Sequence, residues 1–252
     1  MEVLQRPGGK LATRPIHFFW VVDCSGSMYG EKIGIVNNTI QECIPEMRSA
    51  ADNNPNAQLL IRALQFSSGA SWITSNPVPV EDYGWEDMDA NGLTELGKAF
   101  DLLAAQLSIP PMPERALPPV IVLLSDGQPT DDYKKSMEKL KKLPWFRKAV
   151  KIAISIGQDA DDEVLIEFTG NKELVLQANN ATALAKMIKW ASTTASMVSA
   201  PSSKPMNSVL VSKPAASTPA DDPFAPTNNG APLVLDMSNI PNPDDFDEGA
   251  VW

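Results

Sequence analysis

Apolar and polar positions along the chain follow two rhythms that alternate. A continuous apolar run occurs at "IHFFWVV" (16–22), the signature of a strand buried on both faces of a sheet; "VIVLLS" (120–125) reads as another buried strand and the mostly apolar "AVKIAISIG" (149–157) as a further strand. Between them the spacing becomes helical. Ile33, Val36, Ile40, Cys43, Ile44 and Met47 form one stripe, with Pro45 expected to kink it. Leu96, Phe100, Leu103 and Leu107 form another. A third helix is predicted over 131–142, with Thr130 as its N-cap, acids in its first turn and lysines in its last. "AQLLIRALQF" and "ASWIT" read as an antiparallel hairpin turning at Ser68-Gly69. "DADDEVLIEF" as a helix, "KELVLQ" as a strand and "ATALAKMIKWASTTAS" as a helix continue the alternation. The predicted fold class is α/β: a three-layer sandwich around a mostly parallel central sheet with one antiparallel edge strand.

Composition divides the chain. Residues 1–13 read as a flexible arm and 14–197 as one domain. Residues 198–252 hold nine of the 22 prolines and seven acids against Lys204 and Lys213, too little apolar content to offset the entropy of ordering. Within that tail, 231–252 mixes short apolar pieces with acids. It reads as either a solvated end or a docking motif anchored by Phe246 and Trp252. The net charge of −10 argues against a nucleic-acid surface. No segment has the apolar length of a membrane span, and the N-terminus lacks a signal-peptide core. Cys24 and Cys43 make neither a disulfide framework nor a zinc spacing, so the expected location is cytoplasmic.

The chemistry lies where strands end, the place where such sheets bind ligands. Asp23, Ser25 and Ser27 alternate directly after the first strand. Thr94 precedes the second helix within "DANGLTELG", and Asp126 follows the central strand in "LLSDGQPTDD". Two carboxylates and three hydroxyls are hard oxygen donors, suited to Mg²⁺ or Mn²⁺. Gly26, Gly30, Gly92 and Gly127 free the loops that carry them. Each fragment alone is ordinary loop composition; their order and their placement at element boundaries give the pattern its weight.

The pattern DxSxS, then Thr, then Asp resembles a von Willebrand factor type A (vWA) domain with an intact metal-ion-dependent adhesion site, over roughly residues 14–197. That resemblance implies a Rossmann-like sandwich. It also implies a metal touched by serines and threonine, aspartates acting through water or by orienting the hydroxyls, and a partner's carboxylate completing the shell. "FFWVVDCSGSMYGEKI" and "LLSDGQPTDD" are similar to the bacterial tellurite-resistance, TerY-type branch, and Cys24 fits it too. Members of that branch often occur beside a Ser/Thr kinase and a metal-dependent Ser/Thr phosphatase. The resemblance therefore implies an adaptor in stress response or defence.

An enzyme reading finds few parts. His17 lies far from the strand-end site. Ser27 follows Gly26 without a Gly-x-Ser-x-Gly elbow, and no glycine-rich phosphate loop with its lysine is present. Mg²⁺-assisted phosphoryl transfer lacks a second aspartate two residues after Asp23. The expectation is a protein-binding module without catalysis. The alternative is a scaffold whose metal is structural and whose partners bind loop 76–92, through Tyr83 and Trp85, or the tail; the same two rings read equally well as tucked into the domain to pin that loop.

Overall fold

The computed structural model describes residues 14–52, 57–157 and 160–199, with side chains as far as Ala191. Strand β1 (Arg14–Asp23) leads through helix α1 (Glu31–Asp52) to β2 (Ala57–Ser67), which lies parallel to it over ten residue pairs. β2 turns back into β3 (Gly69–Trp72), the expected antiparallel edge, and the two-residue β4 (Val78–Pro79) extends that edge. Helix α2 (Leu96–Gln106) then crosses to β5 (Val120–Ser125), parallel to β1 on its other side. Helices α3 (Tyr133–Lys142) and α4 (Pro144–Lys148) precede β6 (Val150–Ile156). Helix α5 (Asp162–Thr169), β7 (Val175–Ala178) and α6 (Ala181–Ser199) finish the described chain. The sheet order is β3-β2-β1-β5-β6-β7, with β4 beside β2.

Alternation along β1 builds two cores at once, since successive side chains of a strand point to opposite faces. Phe18, Trp20 and Val22 pack with residues of α1 and α6, whereas Phe19 and Val21 pack with α2, α3 and α5. Continuous apolar runs are thus what a strand covered on both sides requires.

Helix α1 continues past Pro45 to Asp52, so the proline does not end it. One local reading is corrected. Thr130 does not cap α3, which begins at Tyr133; its hydroxyl instead accepts from the Thr94 amide at 3.1 Å. The short α4 was not anticipated. Pro144 opens it, a position where the missing N–H is harmless, and Trp145 and Phe146 bury into the second core. The arm 1–13 and most of the tail, with Phe246, Trp252 and the motif at 231–252, lie outside the described residues.

Candidate metal centre

β1 and β5 sit side by side at the middle of the sheet, so Asp23 and Asp126 leave neighbouring strand ends on the same edge. Both carboxylates are buried. Asp23 Oδ1 accepts the Ser25 amide at 2.9 Å, and its Oδ2 accepts the Ser125 hydroxyl at 2.6 Å. Both oxygens therefore hold the first loop to the end of β5. Burial pushes the Asp23 carboxyl up to about 6; the bonds from Ser125 and Ser25 oppose that rise and the charge of Asp126 adds to it.

From Asp23 a chain of oxygens runs outward. Ser25 Oγ and Ser27 Oγ are 3.0 Å apart, and Ser27 donates to Asp126 Oδ1 at 2.7 Å. Thr94 joins from the third loop. A Cβ on Gly127 would lie 3.5 Å from Ser27 Oγ and 3.6 Å from Thr94 Oγ1. The two hydroxyls thus face one spot that the missing side chain of Gly127 leaves open.

The loops are tied by main chain. The Gly26 amide donates to Gly92 O at 3.0 Å and the Asn91 amide to Cys24 O at 2.8 Å. Thr94 and Thr130 exchange two bonds: Thr94 N to Thr130 Oγ1, and Thr130 N to Thr94 O at 2.8 Å. Gly92 has φ +79°, and a Cβ there would meet Ser68 Oγ at 2.6 Å. Glycine is required at that position on both counts.

The donor set fits a hard divalent cation. Among the described residues no group of three or more His, Cys, Asp or Glu side chains could hold a metal, so hydroxyls would have to supply much of the shell. Such a set suits Mg²⁺ or Mn²⁺ better than a soft ion. A cation already stands at the site: Lys32 Nζ lies 2.7 Å from Asp126 Oδ2. Cys24 contributes no ligand. Its thiol turns inward toward Val22 O and Met88 Sδ, 3.7 Å from each, and burial pushes it up to about 12, helped by the charges of Asp23 and Asp89.

A model of the von Willebrand factor type A domain matches residues 19–190, more than half of the chain. The chain belongs to the von Willebrand factor type A family. That family comprises metal-binding protein-interaction modules. Among solved structures, the vWA fold here is similar to the ArnB paralog VWA2 from Sulfolobus acidocaldarius, at 17% identity and TM-score 0.53, over 71% of this chain and 45% of that one. It is similar to proximal thread matrix protein 1 from the mussel byssus with a zinc-occupied MIDAS motif, at 17% identity and TM-score 0.52, over 74% and 47%. It is also similar to the pilus adhesin SpaC from Lactobacillus rhamnosus GG in its open conformation, at 14% identity and TM-score 0.59, over 73% and 30%. At these identities the likeness is one of fold, and the chain spans less than half the length of these three relatives. Comparison with curated proteins finds no match.

All five residues assigned to the vWA metal pattern lie on one edge of the sheet, at the ends of β1 and β5 and just before α2. Tyr83 and Trp85 do not form an exposed anchor beside them. Tyr83 is buried in the core, and burial raises its phenol. The Trp85 indole N–H donates to Asn37 Oδ1 at 3.1 Å and its ring is half-buried. Of the two readings of these rings, the one that tucks them in to pin the loop is the one found, against α1. Close in sequence to the metal pattern, two large apolar side chains are exposed, Tyr29 at 80% and Leu93 at 55%; Leu93 directly precedes Thr94 and Tyr29 follows Ser27 by two residues. Sequence reasoning also missed Ser125 and Lys32. A hydroxyl ending an otherwise apolar strand was the available signal for the first, and a lysine just after the glycine-containing loop for the second.

Proposed function

We propose that this vWA domain is a metal-dependent protein-binding module. In this reading Ser25, Ser27 and Thr94 hold Mg²⁺ or Mn²⁺ directly, while Asp23 and Asp126 orient those hydroxyls and balance charge. When bound, the cation supplies a hard Lewis-acidic position for a carboxylate of the partner. The observation that carries the reading is the single hydrogen-bonded run from Ser25 through Ser27 to Asp126, facing Thr94 across the gap at Gly127. Asp23 holds the first loop with both of its oxygens and Ser125 fixes one of them, so the hydroxyls are set in place by residues that face inward. Tyr29 and Leu93, exposed in the loops that carry Ser27 and Thr94, offer apolar surface for a partner.

The domain acts as an adaptor rather than an enzyme. His17 is the sole histidine of the chain; it sits near the opposite end of β1, stacked on Phe19 with ring centroids 5.8 Å apart, and takes no part in the site. A cytoplasmic stress-response or defence role beside a Ser/Thr kinase and a metal-dependent phosphatase rests on the TerY-type sequence likeness. No described helix is long and apolar enough to cross a membrane. Burial of Tyr83 and the Trp85–Asn37 bond weigh against binding through loop 76–92.

The test is recovery of partner proteins with the intact chain from its host, in Mg²⁺ and in EDTA, using wild type and Thr94→Ala. Partners are expected to be lost both in EDTA and with the variant. Recovery at full strength in EDTA would overturn the reading.

A further inference from the structure

Lys32 is a charged site group that the donor pattern does not need. It leaves the first turn of α1, and its ammonium meets Asp126 Oδ2 at 2.7 Å, with the Asp126 side chain fully buried and that of Lys32 only 19% exposed. The other Asp126 oxygen is taken by Ser27. Lys32 is therefore fixed against the anion that closes the donor run, rather than extended into solvent as most lysines are.

The charges give this contact a meaning. Asp23 and Asp126 together carry about −2 and Lys32 returns +1, so a divalent cation leaves the centre with one net positive charge. Without Lys32 the loaded centre would be neutral, and an incoming carboxylate would make it negative. The rest of the molecule offers an acid no help, because the chain carries −10 overall and Asp89 lies close enough to act on Cys24 beneath the loop. Attraction for a carboxylate must be local. We propose that Lys32 is a specificity-determining residue, lowering the affinity of the site for its metal and raising the affinity of the loaded site for a carboxylate. The inference rests on the metal-dependent reading above and adds the group that decides which charge of ligand the site accepts.

Opposite signs make this testable in the full-length protein. Mn²⁺ binding is measured by the electron paramagnetic resonance signal of the free ion. Acetate binding to the Mn²⁺-loaded protein is then measured by the fall in water-proton relaxation as coordinated water is displaced. Lys32→Met is expected to tighten Mn²⁺ by about tenfold and to weaken acetate by about tenfold, the scale of one partly screened unit charge a few ångströms away. Lys32→Gln should do the same, and Lys32→Arg, which keeps the charge, should stay within about threefold of wild type on both. Tighter Mn²⁺ binding in itself reports a folded site. If Lys32→Met tightens Mn²⁺ but leaves acetate unchanged, Lys32 only stands in for the metal and the inference fails. Weaker Mn²⁺ binding in both Lys32→Met and Lys32→Gln also overturns it. If wild type takes up Mn²⁺ but no acetate, or no Mn²⁺ at all, the metal-dependent reading falls and carries the inference with it.

Discussion

The two ends of β1 treat buried polar groups in opposite ways. At the C-terminal end both oxygens of Asp23 are hydrogen-bonded, to Ser25 N and Ser125 Oγ. Near the N-terminal end both ring nitrogens of His17 are buried without a hydrogen-bond partner among the described residues. One group is held for what it positions and the other is tolerated as an aromatic surface against Phe19. A buried polar atom thus marks a site by the company it keeps, because satisfied networks specify geometry whereas orphans only destabilise.

The contrast is sharpest in its dependence on pH. Burial lowers His17 from 6.5 to about 4, so between those values the unfolded chain binds more protons and stability rises with pH. Asp23 is raised from 3.8 to about 6; there the folded chain binds more protons, and stability falls as pH rises. Each effect amounts to as much as about 3 kcal/mol, and across the shared window they oppose one another. Urea unfolding in EDTA from pH 4 to 6.5 should therefore show a shallow profile for wild type. His17→Leu should expose a falling one and Asp23→Asn a rising one; parallel profiles for all three would break the comparison.

Asp23→Ala is the next largest change. It leaves the Ser125 hydroxyl and the Ser25 amide unpaired, which costs about 1–3 kcal/mol, and should weaken Mn²⁺ binding by about 10- to 100-fold, the usual effect of removing a group that orients metal ligands. Calorimetric titration reads the second effect and thermal melting the first. Gly92→Ala should cost about 1–2 kcal/mol by forcing a side chain into a left-handed backbone and against Ser68, with a lowered melting temperature as the readout. At the small end, Lys139 and Asp101 pair at 2.8 Å with both side chains about half exposed. Lys139→Ala should change stability by less than about 0.5 kcal/mol, and by less still in high salt. A larger effect there would show that surface pairs and the buried Lys32–Asp126 pair are less different than their surroundings imply.

Much of this architecture was legible because periodicity and burial are the same fact seen twice. β1, β5 and β6 are apolar along most of their length since helices cover both faces, and the stripes of α1 and α2 had to find a partner. The five residues of the metal pattern stood out in the sequence because each falls at the end of a strand, in the loop after it or just before a helix. What stayed hidden depends on side-chain direction across long sequence separations. Lys32 reaches Asp126 only because α1 leaves the first loop beside β5. Asp131 looked like a first-turn acid of α3, yet its Oδ1 accepts from the Gly97 amide at 3.1 Å and so serves the start of α2. For Tyr83 and Trp85 the sequence left two readings open, an exposed anchor or rings tucked in to pin the loop, and packing against α1 decides for the second.

The position of the site also determines how a pull on it would be carried. Asp23 and Asp126 hang from the two central strands, and β1 is bonded along its length to β2 over ten residue pairs and to β5 over five. Tension applied at the binding edge along these strands would load many backbone hydrogen bonds at once in shear instead of peeling them one by one from a free edge. A bound partner pulling along that axis would meet the β1–β2 and β1–β5 ladders together.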